Sequence, residues 1–257
     1  MAQAELVERV RRLRGRGLVA EAPALHWPDL VRFMREFTAP VSEATEKALA
    51  DRGVAVHHGH ARFTAPREVT VGGQTLAATH VVIATGAEPV PLPFPGADLL
   101  ATSTDVFDRD HLPEHVVFVG AGYVSLELAR VAAAAGAEVV VLEMAERILP
   151  AFDPDLTARL ADLTRDLGID LRTGATVVGV RAEEPGFRVE VEGDDIGKET
   201  IATGLVVHGA GRRPALAGLD LERAGVAHEP AGVTVDDDRR STSDPAVFAV
   251  GDAAASG

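Results

Sequence analysis

Few folds can hold the run from Val116 to Glu143, VVFVGAGYVSLELARVAAAAGAEVVVLE. Val116–Val119 is a short, wholly apolar stretch of strand type, Tyr123–Ala135 has helical composition, and Glu138–Leu142 is a second apolar strand. Two such strands around one helix form a βαβ unit, which implies a parallel sheet covered on both faces. Gly120, Gly122 and Ser125 fall on the three positions of GxGxxG, directly after the strand and at the mouth of the helix. In that pattern the first glycine permits the tight turn, and the second lets a diphosphate approach amides at the positive helix end. The third position sets how closely the helix lies to the strand, and Ser125 is small enough to stand there at some cost in packing. Glu143 closes the next strand, where a carboxylate accepts hydrogen bonds from ribose hydroxyls and repels the extra phosphate of NADP. These residues predict a site for NAD, with NADP less favoured; Arg147 is the nearby cation that such a phosphate could use.

The rest of the chain alternates strands and helices. From Val54 to Gly86 short β-type runs dominate (VAVHH, ARF, REVTV, THVVIATG), and Gly72-Gly73 suits a tight hairpin because glycine accepts positive φ. The prolines of EPVPLPFPG (Glu88–Gly96) remove backbone donors and predict a domain exit. Thr102 with Asp105 reads as a helix cap, and Asp153-Pro154 opens another helix that Gly168 stops. Strands are expected near 170–172, 175–181, 187–191 and 205–208, the last ending in GAGRRP. The resulting fold class is α/β: a Rossmann-type NAD-binding domain with a parallel sheet and an antiparallel β-meander.

Composition narrows the function classes. With 257 residues, 46% hydrophobic and 25% charged, the chain can bury a real core. A net charge of -14 argues against nucleic acid, although Arg9, Arg11, Arg12, Arg14 and Arg16 form a basic cluster. No apolar run is long enough to cross a bilayer, and the first residues do not form a secretion signal, so a soluble, cytoplasmic protein without a membrane partner is expected. Cysteine is absent, which excludes disulfides, thiolate metal sites and a cysteine nucleophile within this sequence. No metal site is expected: His57, His58 and His60 would alternate faces along a strand, and Glu192, Asp194 and Asp195 lack calcium-loop spacing and read as a hairpin turn.

Two further segments extend the picture. THVVIATGAEP is a strand ending in Ala84-Thr85-Gly86, and PAVFAVGDAA is another ending in Gly251-Asp252. With GAGYVSLELA and LVVHGAGRRP, and in this order, they resemble the flavoprotein pyridine nucleotide-disulfide oxidoreductases, the group of dihydrolipoamide dehydrogenase, glutathione reductase and mercuric reductase. The resemblance implies FAD as a second cofactor. It adds to the fold class flanking parts of a second, FAD-binding Rossmann-like domain: residues 1–103 and 233–257 would belong to this incomplete domain, around an NAD-binding domain at 104–232. Ala84, Thr85 and Gly86 would carry the chain from the flavin domain, and Gly251 and Asp252 would return it, Asp252 bonding the ribityl chain. Ala61 would pass near the adenine, and Gly211 and Arg212 would sit between the cofactor regions. Tyr123 resembles the family's gate over the flavin face, and Glu127 the acid that helps place the nicotinamide. The run ERILPAFDPDL resembles the NAD-using members.

This sequence departs from the family in lacking a first GxGxxG, a CxxxxC helix and the dimer-forming domain. A truncated relative is therefore expected, whose full-length parent would be a homodimer acting on a disulfide-type substrate. Thiol exchange needs a thiolate and a resolving sulfur, so the cysteine pair would lie outside this sequence. Two alternatives stay open: an NADH oxidase or ferredoxin-reductase type of flavoenzyme, and a non-catalytic NAD-binding piece.

Overall fold

A computed structural model describes residues 2–13, 24–193 and 197–255. Arg14, Arg16, Asp194 and Asp195, singled out above, lie outside the described residues. The chain divides into two compact units, one of residues 1–39 and 91–211, the other of residues 40–90 and 212–257. It begins with α1 (Ala2–Leu13) and α2 (Trp27–Thr38), then passes through α3 (Val41–Ala50), β1 (Arg62–Ala65), β2 (Glu68–Val71), β3 (Gln74–Ala77), β4 (Val81–Ile83) and β5 (Ala87–Pro89). Next come α4 (Ser103–Asp108), β6 (His115–Val119), α5 (Tyr123–Ala134), β7 (Glu138–Glu143), α6 (Pro154–Asp166) and β8 (Asp170–Thr173). After these follow β9 (Thr176–Glu183), β10 (Gly186–Gly193), β11 (Gly197–Thr203) and β12 (Leu205–His208). The chain closes with β13 (Arg212–Pro214), α7 (Leu221–Ala224), β14 (His228–Glu229), β15 (Gly232–Thr234), β16 (Val247–Ala249) and β17 (Ala254–Ala255).

The first unit is built on a four-stranded parallel sheet in the order β12-β6-β7-β8. Side chains alternate across it as the period of two requires. Val116 and Phe118 join the core under α5, whereas Val117 and Val119 face the core shared with the antiparallel meander β11-β10-β9. Burial on both faces accounts for the uninterrupted apolar run in β6. The helices start and stop where local chemistry dictates. Thr102 and Asp105 form a reciprocal capping box on α4. The Asp153 carboxylate accepts from the Asp155 and Leu156 amides at the start of α6.

Residues 1–39 cluster with this unit, although the family resemblance groups them with the FAD-binding flanks. Ala4, Trp27 and Val31 are part of its helix-side core. Arg130 on α5 donates Nε and Nη2 to the two carboxylate oxygens of Glu8 on α1, each at 2.6 Å. That bonding holds the Arg130 pKa above the usual arginine value. Trp27 stacks on Phe107 and donates its ring N–H to the Arg109 carbonyl.

The second unit has the meander β1-β2-β3 and the parallel pair β16-β4, with β5 antiparallel to β13. Gly72 and Gly73 make the two-residue turn between β2 and β3, both at positive φ. Residues 212–232, expected in the NAD-binding domain, pack here instead, because Leu216, Leu219 and Leu221 share a core with Phe63, Ile83, Val233 and Val247. Val54–His58 forms no strand: Val54 and Val56 are exposed, and among the described residues no strand pairs with them. The strand-based placement of His57, His58 and His60 falls with it, and His58 Nε2 lies 3.4 Å from Glu46. Among the described residues no group of three or more His, Asp or Glu is arranged to hold a metal, and no helix is long and apolar enough to cross a membrane.

Candidate functional site

The carboxyl end of β6 turns sharply into α5, and Gly120 makes that turn at φ +92°. A Cβ there would lie 2.5 Å from Ala210 Cα and 2.7 Å from the Gly209 carbonyl, so only glycine fits. Gly122 is the N-cap of α5, and among the described residues no side chain caps the helix. The first-turn amides, whose orphan donors are satisfied by side chains at α4 and α6, are here left for an anion. No acidic residue stands in the first turn of α5 to oppose one.

Glu143 ends β7 beside this turn. Its Oε2 accepts the Ala121 N–H at 2.7 Å and its Oε1 the Ala145 N–H at 2.9 Å. The carboxylate is half-buried and held in place at the end of the sheet where α/β folds bind ligands. Arg147 does not offer its charge to that position. Its guanidinium donates to the Pro150 and Phe152 carbonyls of its own loop and to Thr157 Oγ1 in the first turn of α6.

Ser125 is fully buried, and its hydroxyl has no hydrogen-bond partner among the described residues. A Cβ built on Gly209 would come within 1.6 Å of Ser125 Oγ and 2.9 Å of its Cβ. The missing third glycine of the motif is thus answered across the interface: the serine fits because position 209 has no side chain. This pairing, and the Ala121 bond to Glu143, join residues distant in sequence and left no mark in the local pattern.

Tyr123 and Glu127 follow one another along α5, both exposed, and line a single groove of about 450 Å³ with Leu126, Leu160 and Leu163. Gly211, at φ +113°, follows the β12 loop that touches Gly120.

In the second unit β4 and β16 run parallel, with Ile83 opposite Ala249. Their carboxyl ends therefore lie side by side, with Ala84, Thr85, Gly251 and Asp252 exposed just beyond them. Ala61 is also exposed, ahead of β1. Arg212 donates to the Ala87 carbonyl, while Arg213 pairs with Glu88 at 2.8 Å. The residues of the first unit fit a dinucleotide, with a glycine-cleared helix start and a carboxylate held beside it. Those of the second fit a flavin in part. Two parallel strand ends are present, but among the described residues there the glycine turn after β16 opens only a single 3-10 turn, Gly251–Ala253, and no strand runs through a glycine turn directly into an α-helix.

An α/β architecture with a glycine turn from a strand end into a helix defines a class, and comparison with known proteins defines the family. Residues 19–257 match the family described as pyridine nucleotide-disulphide oxidoreductase, and the chain belongs to that family of flavin-dependent enzymes. It is 34% identical over 255 residues to a dihydrolipoyl dehydrogenase of Thermus scotoductus, covering 98% of this chain and 55% of that one. To a glutathione reductase of Burkholderia cepacia it is 32% identical over 238 residues, 93% of this chain and 52% of the other. The solved structure of the HOCl-induced flavoprotein disulfide reductase RclA from Escherichia coli superposes with a TM-score of 0.80 at 27% identity, over 96% of this chain and 55% of that one. The chain spans about half the length of the curated relatives it matches.

Proposed function

We propose that this chain carries the NADH-binding part of an FAD-dependent NADH:disulfide oxidoreductase. The net reaction is NADH, one proton and a disulfide giving NAD⁺ and two thiols, the cysteine pair being absent from this sequence. Bound FAD would supply the two-electron relay between nicotinamide and disulfide. The single observation that carries this reading is the glycine-cleared, uncapped start of α5 beside the Glu143 carboxylate. The amides at that helix start bind the diphosphate, and Glu143 accepts from the ribose hydroxyls.

NADH is preferred over NADPH, because a carboxylate repels a 2′-phosphate and Arg147 is engaged within its own loop. By family resemblance, Tyr123 screens the flavin face until nicotinamide displaces its ring, and Glu127 helps orient the nicotinamide. Asp252 holds the ribityl chain, with Gly251, Ala61, Ala84, Thr85 and Gly86 lining the flavin and Gly211 and Arg212 adjoining it. The working enzyme is a cytoplasmic homodimer acting on a disulfide.

The absence of cysteine favours one second reading, a nucleotide-binding chain that performs no disulfide exchange by itself. Titration separates the two. Under the first reading the purified chain binds NADH, loses that affinity on Gly122→Leu, turns yellow with FAD and is bleached by NADH without oxygen. A chain that stays colourless with FAD yet is protected thermally by NADH supports the second. Absence of any NADH affinity refutes both.

A further inference from the structure

The Glu143 carboxylate is bonded at both oxygens in the protein alone. Oε2 takes the Ala121 N–H, between the two motif glycines, at 2.7 Å, and Oε1 takes the Ala145 N–H at 2.9 Å. Ala145 is itself tied to the turn after β8, its carbonyl accepting from the Gly174 amide at 2.9 Å. The Glu143 carbonyl accepts from the Ala175 amide at the same distance. One side chain therefore fastens the glycine turn to the loop beyond the neighbouring strands. A carboxylate offers about four lone-pair sites, so acceptor capacity remains for sugar hydroxyls after these two bonds.

We infer that Glu143 is a positioning residue as well as a sugar ligand: it fixes the glycine turn before a nucleotide arrives and so couples the diphosphate and ribose subsites. The Ala121 amide belongs to Glu143, which leaves the diphosphate to the amides of Gly122 and the first turn of α5. Any substitution at 143 intended to admit NADPH consequently weakens every dinucleotide, since it loosens the cradle along with removing the repulsive charge. The coupling rests on the dinucleotide reading above; the fastening of the turn does not.

Two measurements on the full chain test this. Without ligand, amide hydrogen exchange followed by NMR is expected to quicken on the order of 10-fold at both Ala121 and Ala145 in Glu143→Ala, the scale of one charge-assisted bond. In Glu143→Gln, whose amide keeps one acceptor and turns a donor toward the other N–H, exchange quickens at one of the two. The Val141 amide, inside β7, serves as the control for an intact sheet and stays unchanged. Unaltered exchange at Ala121 in Glu143→Ala overturns the inference. With ligand, an NADH analogue lacking both adenosine-ribose hydroxyls is expected to lose roughly 10-fold in affinity in Glu143→Ala. If the substitution weakens NADH but leaves that analogue unaffected, Glu143 is a sugar ligand only and the coupling is refuted. If the unsubstituted chain binds no NADH, the dinucleotide reading fails, and exchange alone decides whether the turn is fastened.

Discussion

Replacing Gly209 with alanine tests the packing that stands in for the third motif glycine. The added Cβ would sit 1.6 Å from Ser125 Oγ, 2.9 Å from Ser125 Cβ and 3.3 Å from the Gly120 carbonyl. The first two contacts are far inside van der Waals range. Ser125 is fully buried with no room to retreat, so overpacking is expected to cost about 2 kcal/mol. The Ser125→Gly substitution removes both contacts and leaves only the one at 3.3 Å. Alone, that change costs up to about 0.5 kcal/mol of helix propensity, serine lying between alanine and glycine. It also removes a buried hydroxyl that has no partner among the described residues, which offsets the loss. The double substitution is therefore expected to be less destabilised than Gly209→Ala alone, with a favourable coupling of about 2 kcal/mol. Urea unfolding followed by Trp27, the sole tryptophan and part of the helix-side core, reports on this unit. At a slope of about 2 kcal/mol per molar, the coupling moves the midpoint by about 1 M. Equal destabilisation by Gly209→Ala with and without the Ser125→Gly substitution would refute the reasoning.

Glu8→Ala leaves the Arg130 guanidinium part-buried without its bidentate partner, and is expected to cost about 2 kcal/mol of α1 docking, seen as faster tryptic cleavage within α1. Asp105 is held below the usual carboxylate pKa, first by the Thr102 amide and then by its hydroxyl. A depressed folded-state pKa adds stability above the unfolded value, lost as pH falls through the folded one. Asp105→Asn should accordingly flatten that acid limb in pH-dependent melts, and Thr102→Ala should cost about 1 kcal/mol at neutral pH. Arg147→Ala is expected to leave the ratio of NADH to NADPH affinity unchanged, because its guanidinium serves the carbonyls at 150 and 152; a changed ratio in parallel titrations would show that it reaches the nucleotide. Val82, exposed at the centre of β4, is expected on substitution by lysine to lower self-association in light scattering without lowering the melting temperature.

What could be read from the sequence is what short-range chemistry decides. The Gly72-Gly73 turn, the capping box at Thr102, the aspartate cap at Asp153 and the strand-turn-helix at Val116–Ala134 each depend on neighbours within a few residues, and each appears where expected. Val54–His58 has strand composition too, yet a strand needs a partner, and among the described residues none comes. The grouping of α1 and α2 is equally non-local: Ala4, Trp27 and Val31 pack into a core whose other buried members lie beyond residue 100. Glu8 with Arg130 and Gly209 with Ser125 are meetings that no local window contains.

The glycine motif itself shows where that division falls. Its first position answers to backbone geometry at one turn, φ +92°, so Gly120 could be recognised outright even without the Ala210 and Gly209 atoms that also crowd it. Its third position answers to the distance between a helix and whatever lies under it, a property of two segments together. Here the segment under it is the loop after β12, and a glycine at 209 supplies the space that a glycine at 125 would have given. A serine at the third position is consequently no evidence against the cradle unless position 209 also carries a side chain.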